Sequence, residues 1–108
     1  MAENAEAAVV VTVFTPRPEA GGELIEALRE YLPEVHREEG CLLYAIHDAE
    51  DGTIVLIEKW ASRADLDRHN ETPALAELDR RIAPFVAAPT TWTTMTPLLV
   101  ELGPAAAL

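Results

Sequence analysis

The sequence predicts an α+β sandwich: a four-stranded antiparallel sheet with two helices packed on one of its faces. Three observations lead there. Four apolar, β-branched runs at residues 9–15, 41–47, 53–61 and 91–100 read as strands. The segments after the first and third runs repeat apolar residues at helical spacing instead. A single Asp51-Gly52 turn signal joins the second and third runs as a hairpin. The order is therefore strand, helix, strand, strand, helix, strand.

Each element has a local reason. The first strand, 9–15, is apolar throughout and reads as buried on both sides, and Pro16 and Pro18 end it. Over residues 19–39, Leu24, Ile25, Leu28, Leu32 and Val35 form a stripe with charges opposite. Gly21-Gly22 delays the start, Pro33 loosens a turn, and Gly40 is placed to stop the helix. In the third strand the side chains alternate, so Ile54, Leu56, Glu58 and Trp60 share one face and Val55, Ile57 and Lys59 the other. Ser62 with Asp65 has the form of a capping box at the next helix start. Thr72-Pro73 then restarts a helix striped by Leu75, Leu78, Ile82 and Phe85. Pro97 puts the last strand at an edge.

Short connections and right-handed crossovers arrange this order as a split βαβ, or ferredoxin-like, βαββαβ fold. Residues 1–7 form a polar, mobile lead, 8–100 the domain and 101–108 a tail. The face opposite the helices receives Cys41, Leu43, Ala45 and His47 from the second strand, with Val55 and Ile57. It is too apolar to stay wet, so a homodimer through that face is expected.

Composition removes several functions. With 108 residues there is one domain and one core. The net charge of −11 opposes binding to nucleic acid or to an anionic membrane surface. Cys41 stands alone, which excludes an internal disulfide and a cysteine-rich metal site. No stretch approaches the roughly 20 apolar residues of a membrane helix. A soluble, cytoplasmic protein is the expectation. No glycine-rich nucleotide loop or nucleophile elbow occurs.

The chemistry concentrates in residues 54–70. Glu58 and Trp60 project together from an apolar strand, and the following helix can carry His69 over the same face. A buried Glu58 needs a partner. It is either half of a structural pair, with His69 or an arginine of the second helix, or a base tuned by burial. His69 is either a satisfied half-buried imidazole or a substrate contact. Trp60 is core, or core that offers its indole N–H to a cavity. Tyr44, sharing parity with Leu42 and Ile46, is a core tyrosine or lines that cavity. Trp92 and Met95 read as packing or dimer contacts, and Arg80 and Arg81 as solvent-facing. His36 and Glu39 read as a solvated helix face, since two candidate ligands do not make a metal site. His47 has no identifiable partner.

The runs Glu39-Gly40-Cys41-Leu42-Leu43-Tyr44 and Ile57-Glu58-Lys59-Trp60-Ala61-Ser62, with His69 and Thr72-Pro73, resemble the antibiotic biosynthesis monooxygenase family over about residues 8–100. The resemblance implies ferredoxin-like protomers paired sheet to sheet. It also implies, for some members, cofactor-free oxidation of phenols or quinols. Other members isomerise small compounds, degrade haem or have no known activity. The family's strand glutamate, following aromatic and helix histidine fall on Glu58, Trp60 and His69. Residues 8–15 contain no Asn and residues 75–82 no His, with Asp79 near where one would stand, which disfavours haem breakdown.

The expected function is a cofactor-independent monooxygenase acting with dioxygen on a small aromatic, phenolic or quinol-type substrate. His69, held by Glu58, would take the phenolic proton beside Trp60. Tyr44, Leu75, Leu78 and Phe85 would line the substrate pocket, with no metal and no cofactor. An isomerase of small carbonyl compounds and a non-enzymatic dimeric binding module are the alternatives.

Overall fold

A computed structural model describes residues 6–108. The lead expected over residues 1–7 lies outside the described residues except for Glu6 and Ala7, which precede the first strand. The elements are β1 (Ala8–Phe14), α1 (Gly21–His36), β2 (Cys41–Asp48), β3 (Ile54–Trp60), α2 (Arg63–Asn70), α3 (Pro73–Ile82) and β4 (Thr91–Met95). The strands form one antiparallel sheet in the order β2-β3-β1-β4. The ferredoxin-like α+β fold is therefore present, with the second helical segment divided in two. Thr72 divides it. As the residue before Pro73 it is held extended, and its hydroxyl accepts from the Leu75 N–H at 3.3 Å as the cap of α3.

The core lies between the helices and one face of the sheet. Leu24, Ala27, Leu28, Tyr31 and Val35 are the buried face of α1, and Ile25 and Leu32 of the sequence stripe pack partly buried against the same core. Pro33 is tolerated one turn from the end, where its missing N–H frees a single carbonyl. Ser62 caps α2: its hydroxyl accepts from the Asp65 N–H at 3.2 Å and donates to the Asp65 carboxylate at 2.9 Å. Gly40 does not stop α1, which ends at His36. It turns the chain into β2 at φ +83, and a Cβ there would collide with the Asp65 carboxylate.

Three placements differ from the sequence reading. Cys41 pairs with Trp60 and Leu43 with Lys59, so Leu42 is an extra residue in a β-bulge. The bulge turns Cys41 to the helix face, away from the opposite face expected for it, and leaves Leu42 exposed. The strand expected over 91–100 ends at Met95, before Pro97, and residues 100–106 hold two short 3₁₀ turns. His36 and His47 both have partners: their rings lie 3.0 Å from the Tyr44 carbonyl and 3.2 Å from the Val55 carbonyl. The helix-free face carries Val11, Val13, Leu43, Ala45, Val55 and Ile57, all partly exposed. Lys59, on the same face, donates to the Leu108 carbonyl, so the tail folds back to this side.

Candidate functional site

Strand register assembles the site. On the helix face, Tyr44, Glu58, Val10 and Thr94 form one row across the four strands. Ile46, Leu56, Thr12 and Trp92 form the next. Val10 and Thr12 are short, and β4 is the edge of the sheet among the described residues. A cavity of about 570 Å³ remains. Its floor is Val10, Thr12, Phe14 and Leu56, and its roof is Leu66, Leu75, Leu78 and Ile82. Thr90, Trp92 and Thr94 line its β4 side, where Trp92 is 68% exposed and marks the mouth.

Polar groups gather at the inner end. Glu58 is 6% exposed and accepts a hydrogen bond from the Trp60 indole at 2.9 Å. Trp60, fully buried, stacks at a tilt on His69 with ring centres 4.7 Å apart. Tyr44 meets the His69 ring edge-on at 5.3 Å, and Tyr31 meets Tyr44 the same way at 6.1 Å. The Tyr31 hydroxyl is buried with no hydrogen-bond partner among the described residues.

His69 does not depend on Glu58 for its anchor. Its Nδ1 lies 2.9 Å from the Glu38 carboxylate, whereas Nε2 is 4.0 Å from Glu58, beyond hydrogen-bond range. Glu38 follows the end of α1, and α2 brings His69 to it from 31 residues away.

Burial dominates the acid–base character. It pushes the Glu58 carboxyl above its ordinary range, against the Trp60 hydrogen bond and the nearby His69. Burial also raises the Tyr44 and Tyr31 phenols, with Glu58 and Glu38 respectively adding to the effect. Asp79, a second carboxyl on the cavity wall, is raised by burial as well. No lysine or arginine lines the cavity. Among the described residues, no group of three or more histidine, cysteine or acidic side chains is arranged to hold a metal ion.

Of the residues singled out in the sequence, Glu58, His69, Tyr44, Leu75 and Leu78 line the cavity together. Trp60 lies behind the wall and acts on it through Glu58 and His69. Phe85 packs against the core outside the lining, and Ile82 and Val86 occupy that part of the wall. Glu38, Thr12 and Asp79 were not assigned to the site by sequence reasoning. Parity places Thr12 on the helix face, but only tertiary structure brings Glu38 to His69.

The arrangement suits an apolar, ring-sized ligand whose hydroxyl or carbonyl meets Glu58 and His69 at the inner end. Comparison with known proteins bears on the family. The family model for antibiotic biosynthesis monooxygenase matches residues 7–81. Rv0793 of Mycobacterium tuberculosis, which bears a provisional monooxygenase name, is 30% identical over 90 residues, covering 82% of this chain and 89% of its own. Its solved structure superposes with a TM-score of 0.80 over 85% of this chain and 95% of that one. SO0527 of Shewanella oneidensis superposes at 0.78 with 25% identity, over 86% and 92% of the two chains. A solved structure described as an antibiotic biosynthesis monooxygenase is 28% identical with a TM-score of 0.74, over 82% and 95%. The chain belongs to the antibiotic biosynthesis monooxygenase family.

Proposed function

We propose that this protein is a cofactor-independent monooxygenase that oxidises a small phenol or quinol in the cavity beneath α3. The observation that carries the reading is the placement of Glu58 and His69, 4.0 Å apart, on the wall of a mostly apolar chamber of about 570 Å³. A phenol seated there places its hydroxyl on His69 Nε2, which takes the proton. The electron-rich phenolate passes one electron to dioxygen, and the two radicals combine at a ring carbon as a peroxide. Loss of water, with the proton returned by the imidazolium, leaves a quinone. One oxygen atom is kept and the other leaves as water, so the substrate supplies all the electrons.

The protein contributes proton removal, orientation and a dry site. Trp60 fixes Glu58 and backs His69, while Tyr44, Leu75 and Leu78 hold the ring. An oxygen-electrode screen of phenols and quinols tests this. A substrate should consume dioxygen, and His69→Ala should slow turnover by at least about 100-fold, the lower end for a general base. Unchanged turnover in the variant would remove His69 from the mechanism.

A second reading has one observation in its favour. The raised Glu58 carboxyl can hold a proton beside an imidazole that accepts one, a pairing that also suits isomerisation of a small carbonyl compound. Turnover that persists without oxygen would identify that case. In either reading a second copy of the chain covers the helix-free face of the sheet.

A further inference from the structure

We propose that Glu38 is the positioning residue for His69: it keeps the proton on Nδ1 and leaves Nε2 as a free acceptor toward the cavity. This deepens the reading of His69 as the base and rests on it for its catalytic meaning. An ionised carboxylate has lone pairs and no proton to give. It accepts hydrogen bonds and donates none, so the 2.9 Å contact with Nδ1 requires the proton to sit on that nitrogen. In a neutral ring the other nitrogen then carries the lone pair.

That lone pair has no hydrogen-bond partner among the described residues. Nε2 is 4.0 Å from Glu58, too long for a hydrogen bond, and His69 lines the cavity. Rotation of the ring is resisted on both sides, by the Trp60 face at 4.7 Å and the Tyr44 edge at 5.3 Å. Glu38 is itself held. Its N–H donates to the Val35 carbonyl at 2.9 Å, and its own carbonyl accepts from Cys41 at 3.2 Å.

The two carboxyl groups around the ring therefore have separate tasks. Glu38 reaches His69 from the surface side, with its side chain 19% exposed. Glu58 stands on the cavity side, where burial favours its neutral form. When Nε2 takes a proton, the Glu38 carboxylate lies against the resulting imidazolium and stabilises it. Trp60 from β3 and Tyr44 from β2 pack on this ring, and the Glu58 carboxyl of β3 lies 4.0 Å from it. Arg68, the neighbour in sequence, is engaged by Asp65 at 2.9 Å and Glu39 at 3.8 Å.

Nitrogen-15 NMR of the histidine rings tests the assignment without any substrate. The spectra are recorded at about pH 8.5, two units above the ordinary imidazole value. The intact protein should show His69 protonated at Nδ1 alone. Glu38→Ala should shift the ring toward the Nε2-protonated form that free histidine prefers. An Nε2-protonated His69 in the intact protein would overturn the proposal, and so would an unchanged pattern in a folded Glu38→Ala variant. Should that variant fail to fold, the intact protein's spectrum still decides. A barren oxygen-electrode screen would count against the proposed function and leave this result standing.

Discussion

At the scale of single residues, Glu58 carries the largest tension. Burial favours its neutral form, so the folded chain gives up that proton at higher pH than the unfolded chain does. Between the ordinary carboxyl value and the raised one, the native state binds more protons, and stability falls as pH rises through that window. Glu58→Gln keeps an oxygen for the Trp60 indole and carries no charge. It should raise the melting temperature at neutral pH, and the gain should vanish below the ordinary carboxyl range, about pH 4. Calorimetry across pH checks this, and an equal gain at low pH would point to packing instead. The positions of Glu58 and Trp60 were legible in the sequence because strand alternation has a period of two. The Glu38–His69 contact was not, because nothing local to either residue encodes the meeting of α1 and α2.

Individual elements depend on a few turn and cap positions: the sequence announced Ser62 and Thr72 as caps, while Gly40 turns the chain into β2 instead of stopping α1. Ser62→Ala removes the acceptor for the Asp65 N–H and should cost about 1 kcal/mol in chemical denaturation. Gly40→Ala should cost more, about 1–3 kcal/mol, because a side chain at φ +83 is strained and also displaces Asp65 from that cap. If Gly40→Ala proves no worse than Ser62→Ala, the close approach of the two segments has little energetic weight. Capping chemistry was readable at Ser62 and Thr72 because it is short-range. The bulge at Leu42 was not, since one extra residue leaves composition and periodicity almost untouched while turning Cys41 to the other face.

For the whole molecule, the order of elements sufficed to give the fold, because short right-handed connections leave few ways to close a four-stranded sheet. The cavity was less legible, since its wall is assembled from strands and helices far apart in sequence, over the short side chains of Val10 and Thr12. The helix-free face leads to an expectation about assembly. Val11, Val13, Leu43 and Ile57 stand partly exposed on it, and Leu98, Leu99, Val100 and Leu102 are exposed further along the chain. Apolar surface on this scale is characteristic of an interface. Sedimentation should find a dimer of the intact chain, and Ile57→Glu should shift it to monomer while leaving the circular dichroism unchanged. A monomeric intact chain would assign the face to some other cover.

The two tryptophans differ in their relation to the chamber: one lies behind its wall and the other lines it. Trp60 is sealed against an imidazole, and Trp92 stands at the opening in contact with water. Their emission should therefore separate into a blue component, quenched when His69 gains a proton, and a red one that responds to whatever arrives at the entrance. A titration followed at both wavelengths would distinguish a molecule lodged at the threshold from one that has reached the far wall.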